Sequence, residues 1–513
     1  MTSNAIEDGR SLKSTAISGG LWTLLQVLCN KGASLIGTVV LMYLLLPEAF
    51  GIANLAVGAV GCVTLVAPFT MGDVLIARRG EMERLRGTAW RICAVSTAII
   101  VATVLVIAPT IASRYQQPAL VAACIWACLR PVSDFLVMLP LTELRSRLQF
   151  RRIAAVDVGT QVGAACTSVA MAGLGAGYLS ILLPNSLANA FRCLLYRQKG
   201  ALPTAGPRWV PSEWKYLSRG FLVSGIGQYV HGGTVYATPL IIGWFSDEQN
   251  VGWYAMAYLL SASINQVISV SIGGVLQPVF THMEGDRHRQ SAAFLRATSV
   301  TVAVAMPLCL MQAGVAEPAF ALLLPGKWLP AVPMLQFLLI GQCFYVAVSP
   351  AMGLLKAQGR FATFLWWQFA QFAVTAIGMI IYGSMSSNNP TLGIVAILAL
   401  SNVIFAPIGI LLCTHNTGIR PVRSLTQSLY PFIVAAMTVG STYSVIQLAR
   451  FSRFGQTAGL IMEILLLPLL AGACYLLALR VLAPAVLKDC VTLSEPIFKR
   501  LRRLATTSGA NDA

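Results

Sequence analysis

Stretches of roughly 20 apolar residues, the length that crosses a bilayer core as a helix, follow one another from about residue 16 to about residue 482. That pattern leaves little choice of structure. Hydrocarbon offers no partner to a backbone N–H or C=O, so a segment that enters lipid must pair its own polar groups, as a helix does. Hydrophobic residues make up 56% of the chain and charged ones 11%, against about 25% charged in soluble domains. No water-facing surface could be built from so few. The spacing predicts spans at roughly 16–45, 51–76, 89–109, 118–141, 152–174, 176–196, 218–245, 252–280, 291–315, 331–355, 362–384, 392–414, 428–448 and 457–482. The expected fold class is an all-α polytopic membrane protein of about fourteen transmembrane helices.

The formal net charge of +17 could suggest nucleic acid, but that reading needs a soluble basic face with base-stacking aromatics. Here the basic residues sit in the short breaks. With the N-terminus placed in the cytoplasm, most of the 36 Lys and Arg residues fall on the inner side, among them Arg84, Arg86, Arg145, Arg147, Arg151, Arg152, Arg192 and Arg197. This is the positive-inside pattern, and it predicts that both termini are cytoplasmic. The outer loops, such as LPEAFG and SDEQNV, are too short to hold a folded domain or a catalytic site. The 12 cysteines lie mostly in apolar segments without metal-ligand spacing, so neither metal nor cofactor is expected. The opening residues read as no signal peptide, lacking a short apolar core and a cleavage site.

The longest inner break, residues 197–217, carries three prolines and divides the chain in two. Residues Pro47 to Ala56 lie over Glu248 to Ala257, with Gly51 matching Gly252 and Ala56 matching Ala257. Each copy is a helix, a tight acidic turn ending in Gly, then another helix. The expected organisation is an N-terminal lobe at 1–196, the linker at 197–217, a C-terminal lobe at 218–414, two further helices within 415–482 and a cytoplasmic tail at 483–513. Two six-helix lobes that both start in the cytoplasm form a parallel repeat about an axis along the membrane normal, an arrangement that places substrate between the repeats.

Four short motifs at matching topological positions resemble the polysaccharide transport branch of the MOP superfamily, the Wzx-type oligosaccharide flippases. They are Leu44 to Gly51 (LLLPEAFG), Leu144 to Arg152 (LRSRLQFRR), Leu324 to Ala331 (LPGKWLPA) and Leu354 to Arg360 (LLKAQGR). The resemblance implies a V-shaped two-lobe fold in a bacterial inner membrane and no enzymatic activity. It implies translocation of a polyprenyl-diphosphate-linked oligosaccharide to the periplasmic leaflet, for exopolysaccharide or lipopolysaccharide synthesis. A polysaccharide polymerase and export machinery are the implied partners, beside membrane lipids; nucleic acid is not.

Ionisable residues inside spans are costly and mark sites. Lys31, in the middle of the first span, is a candidate for the diphosphate, or else pairs with Asp73 or Asp134. Gln26 and Lys31 stand about 140° apart on an ideal helix, so they cannot share one lumen direction. Arg130 and Asp134, four residues apart, share a face: either Arg130 is held toward a cavity or the two satisfy each other. Asp73, Arg78 and Arg79 would meet substrate at the cytoplasmic mouth, unless the arginines are ordinary anchors. His231, which titrates near neutrality, is a candidate for ion coupling. So are Asp157, which shares a face with Gln161, and Glu463, alone in an apolar run. Three rival functions remain: a peptidoglycan-precursor flippase, a multidrug exporter of related fold, and a membrane-embedded glycosyltransferase or polymerase. The exporter would want an anionic cavity. The enzymes would want paired carboxylates on a sizeable outer loop, whereas Glu48, Asp247, Glu248 and Glu317 are scattered over short loops without a DxD-like pair.

Overall fold

The computed structural model describes residues 25–64, 69–76, 81–196, 211–282, 287–358, 360–386, 389–415, 420–448, 456–484 and 486–488. The first helix, α1, is Leu25–Leu44. There follow α2 (Pro47–Val63), α3 (Phe69–Ile76), α4 (Met82–Arg114), α5 (Ala119–Ala127), α6 (Leu129–Ser146), α7 (Phe150–Gly173) and α8 (Leu179–Tyr196). Then come α9 (Pro211–Phe245), α10 (Glu248–His282), α11 (Arg287–Leu323), α12 (Ala331–Ala357), α13 (Phe361–Met385), α14 (Thr391–Thr414), α15 (Pro421–Leu448) and α16 (Gln456–Leu482). A 3-10 turn at Gly326–Trp328 precedes α12. Within the described residues each expected span is largely helical; 16–24 of the first and 65–68 of the second lie outside them. Among the described residues 10 helices are long and apolar enough to cross a membrane, with α2 a shorter apolar one. The second expected span is covered by α2 and α3, and the fourth by α5 and α6.

The helix ends are set by local chemistry. Pro47 starts α2, where its missing N–H costs nothing. Asp247 caps α10, its Oδ1 accepting from the Asn250 backbone N–H at 2.9 Å. Three helices end alike: after α4, α6 and α7 the residues Gln116, Leu148 and Gly175 take positive φ. The next N–H then reaches back to Ala112, Leu144 and Met171, at 3.0 Å each. These are Schellman closures, two of them on non-glycine residues. The one at Leu148 makes the tight corner that sets Arg147, Arg151 and Arg152 at one end of the bundle.

The chain divides into two compact units. The first holds residues 1–259, 324–334 and 368–397; the second holds 260–323, 335–367 and 398–513. In the first, a cluster of small side chains (Ala53, Ala56, Ala123, Ala127) lets α2, α4, α5 and α8 approach closely. Small residues let helices come close where lipid supplies no hydrophobic drive. Met71, Leu85, Met138 and Phe221 form a second cluster that seats the start of α9 on α3, α4 and α6. Glu213 fixes that end, accepting from Arg84 at 2.7 Å and from Thr88 at 3.4 Å.

The second unit is built on α11 against α15 and α16. Tyr475 donates to the Ala303 carbonyl at 2.8 Å, and Phe344 lies 4.7 Å from Phe432 between ring centroids. The buried polar groups described there are neutral, hydroxyls such as Thr298 and Thr301 and amides such as Asn265 and Gln342, with Asn265 donating to Gln342 at 3.3 Å. α12 and α14 nearly touch at Gly341, where an added methyl would sit 2.8 Å from the Ala399 Cα. We therefore expect Gly341→Leu to lower the melting temperature of the detergent-solubilised protein, by the 1–3 kcal/mol or so typical of overpacking. Gly353→Leu on the same helix, with nothing within 4 Å of its added carbon, should be near neutral in the same melt.

Candidate functional site

Within the first unit the intramembrane charges gather into one hydrogen-bonded ladder across α1, α6, α7 and α8. Arg130 faces Asp134 one turn on, Nε to Oδ2 at 3.6 Å. The other oxygen of Asp134 accepts from Asn189 Nδ2 at 2.7 Å. Asn189 in turn accepts from Arg192 at 3.0 Å. Arg192 Nε reaches Thr160 Oγ1 at 2.6 Å and Asp157 Oδ1 at 3.3 Å. Asp157 also accepts from Gln26 of α1 and from the Tyr196 hydroxyl.

Asn185, Asn189, Arg192 and Tyr196 recur along α8 at helical spacing, so one polar stripe of α8 faces the carboxylates of its neighbours. The guanidinium of Arg192 is 19% exposed and its Asp157 partner 16%. Each ion there is matched by an opposite charge and by further hydrogen bonds, the condition under which a buried pair is tolerated. At the far end Arg130 is 62% exposed. Its single long contact to Asp134 leaves most of the guanidinium's donors pointing away from the carboxylate.

Lys31 is different. It lies about a third of the way along the described α1, half-buried, and among the described residues it has no ion pair, with neither Asp73 nor Asp134. Gln26 on the same helix enters the Asp157 ladder, and the angular separation of the two residues points Lys31 elsewhere. Asp73 is exposed on α3. Glu463 is half-buried on α16, with no hydrogen bond or ion pair to another described residue. Arg78 and Arg79 lie outside the described residues, as does the side chain of His231 on α9.

Of the sequence candidates, the structure thus joins Arg130, Asp134 and Asp157 through Asn189 and Arg192, and leaves Lys31, Asp73 and Glu463 outside that ladder. Arg192 was counted among inner-side anchors because it stands one turn from a loop. The stripe on α8 was the signal that could have found it. Among the described residues no group of His, Cys, Asp or Glu is spaced to hold a metal ion.

The Pro47 end of the first unit is tightly joined. Tyr115, just past α4, donates to the Leu240 carbonyl at 2.8 Å. Burial pushes its phenol up to about 12 against the pull of Arg114, so it stays a donor at physiological pH. Arg114 stacks on Trp244 at 3.9 Å, and Gln117 donates to Glu248 at 2.7 Å.

Comparison with known proteins fits this architecture. The family described as polysaccharide biosynthesis protein matches residues 40–333. The succinoglycan biosynthesis transport protein ExoT of Rhizobium meliloti (strain 1021) is 26% identical over 381 residues, covering 72% of this chain and 74% of that protein. The teichuronic acid biosynthesis protein TuaB of Bacillus subtilis (strain 168) is 22% identical over 452 residues, covering 83% and 88%. Among solved structures, the lipid II flippase MurJ in an inward closed conformation aligns with a TM-score of 0.70 at 12% identity, over 91% of this chain and 99% of that one. An inward-facing multidrug resistance MATE transporter of the MOP superfamily aligns at 0.57 and 13% identity, over 80% and 95%. At such identities the likeness is one of fold.

The ladder makes a quantitative prediction. Arg192→Met strands Asp157 and should destabilise the protein by about 3–5 kcal/mol. Adding Asp157→Asn should recover a large part of that loss. A double-mutant cycle on thermal unfolding in detergent checks it: strictly additive losses would mean the two charges do not interact.

Proposed function

The chain belongs to the polysaccharide biosynthesis protein family, and from that membership we propose that it is a flippase. Its cargo is a polyprenyl-diphosphate-linked oligosaccharide, carried from the cytoplasmic to the periplasmic leaflet by alternating access. The observation that carries the reading is the state of the intramembrane charges. Arg130, Arg192, Asp134 and Asp157 balance one another, which leaves Lys31 as the uncompensated cation on α1. A lone ammonium at the centre of a span costs about 3 kcal/mol and is retained where it meets an anion. A diphosphate headgroup offers that anion, and the open side of the Arg130 guanidinium offers it further charge-assisted hydrogen bonds. The lipid tail stays in the hydrocarbon, so only the headgroup and glycan need a polar route.

The names of the two relatives refer to different polymers, succinoglycan and teichuronic acid. This supports the class of cargo rather than a particular sugar. The fold is shared with a lipid II flippase and with multidrug transporters. An organic-cation exporter fits less well, because both carboxylates of the ladder are already occupied by arginines. The short turns at the Pro47 end and the arginine-rich corner at Leu148 support an orientation with Arg147, Arg151 and Arg152 in the cytoplasm, in a bacterial inner membrane.

Lys31→Ala should abolish translocation without loss of membrane insertion, while Lys31→Arg keeps the charge and should retain part of the activity. The measurement is the amount of lipid-linked oligosaccharide held on the cytoplasmic face of cells that synthesise the chain's own polymer. Full polymer export by Lys31→Ala would remove this residue from the site and, with it, the argument for an anionic headgroup.

A further inference from the structure

The two turns that match in the sequence repeat also touch each other. Gly51 on α2 lies against Glu248, the first residue of α10: an added methyl would overlap the Glu248 carbonyl oxygen and sit 2.6 Å from its carbonyl carbon. Gly252 on α10 lies against Pro47, the first residue of α2, and a methyl there would overlap the Pro47 carbonyl oxygen at 2.7 Å from the carbon. Pro47 matches Glu248 and Gly51 matches Gly252 in the repeat, so each copy gives the other the same contact. The obstacle on both sides is backbone, which cannot rotate away, and only glycine permits the approach.

The seam continues down α2 and α9, where a methyl on Gly58 would sit 2.9 Å from the Tyr236 carbonyl oxygen and Tyr229 donates to the Cys62 carbonyl at 2.8 Å. A plug from the second half of the sequence seals the turn. Trp328 is fully buried, donates to the Met42 carbonyl at 2.8 Å and meets Phe50 edge-on at 5.2 Å. Lys327 Nζ donates to the Leu45 carbonyl at 2.7 Å, neutralising the negative end of α1.

We propose that this reciprocal Gly51–Gly252 contact, with the Lys327–Trp328 plug, is the outer gate of the transport cycle, closed in this structure, and that the two glycines are its positioning residues. The proposal rests on the flippase reading, which requires the Pro47 end to open for release. The contact is suited to two discrete states. It is made of close packing plus a few donors aimed at carbonyls beside the helix ends, where water takes over when the seam parts. Packed interfaces of this kind switch between arrangements rather than deform continuously. Gly51 and Gly252 contribute equally because the repeat places each opposite the other's helix start.

The test uses the full chain in spheroplasts, with Leu240→Cys as reporter, since Leu240 faces Gly58 across the seam. A membrane-impermeant maleimide is added outside, and labelling above the level of the parent without the reporter is measured, together with lipid-linked oligosaccharide retained inside. Gly51→Ala and Gly252→Ala should each raise labelling about tenfold, as a shift in a two-state population does, and should slow translocation. Gly173→Ala, with open space around it, should change neither. Were the alanine variants to fail to insert, Trp328→Phe and Lys327→Met loosen the plug without new bulk and should move labelling in the same direction. Parent-level labelling in every seam variant overturns the gate, whether or not translocation is lost. Raised labelling in the seam variants, with the parent chain itself translocating no lipid-linked sugar, supports the gate and overturns the cargo instead.

Discussion

Lipid cannot hydrogen-bond, and that single deprivation orders most of what the chain does. Among the described residues the backbone is almost all helical and pairs its polar groups within its helices, turns and caps. Every side-chain charge that enters the apolar layer must find a partner in the protein or serve as a site. The ladder from Arg130 through Asp134, Asn189 and Arg192 to Asp157 shows how far partnering goes. Four formal charges and their amide and hydroxyl relays close on one another, and they tie α1, α6, α7 and α8 into one body. Its balance is what makes Lys31 informative. A cationic lumen assembled from several unpaired groups would leave no way to rank them. A neutralised scaffold with one cation beside it does.

The same deprivation explains the glycines. Without a hydrophobic drive between helices in lipid, association depends on close packing, and the closest packing is backbone on backbone. In the second unit that occurs where Gly341 meets Ala399; in the first it occurs where Gly51 meets Glu248 and Gly252 meets Pro47. The interior of the second unit carries amides such as Asn265 and Gln342 rather than ion pairs. Such groups accept and donate at once, and they need no counter-charge. The two units therefore meet the same constraint by different means, one with paired charge and one with neutral relays.

Much of the fold was legible because apolar runs of about 20 residues leave only helices, and the described part of each expected span is largely helical. The angular argument on α1 was legible too: Gln26 enters the ladder and Lys31 does not. The arginine-rich corner was visible as charge, though not as a Schellman closure on Leu148, because a left-handed leucine leaves no trace in composition. Arg192, near a loop and on the inner side in the sequence pattern, is in addition a member of the ladder, which only its place in the stripe formed with Asn189 and Tyr196 could have signalled. The equivalence of Gly51 and Gly252 was readable from the repeat. Their apposition was not, because a repeat says which residues correspond and is silent on which ones touch.

α1 draws these strands together. Its start holds Gln26 on the Asp157 ladder, the turns that follow carry Lys31, and its last carbonyls at Met42, Tyr43 and Leu45 are gripped by Trp328 and Lys327. From Lys31 to Leu44 is about 20 Å of continuous helix at 1.5 Å per residue, a rigid rod on this scale. In the proposed function, a headgroup held at Lys31 would act on the element whose far end is clamped at the Pro47 turn. The anchoring at Gln26 resists sliding of the rod, while the grip at its other end consists of three donors onto carbonyls that water can replace. In the proposed gate it is the second attachment that has to yield, beside Gly51 and Gly252, while the ladder stays closed.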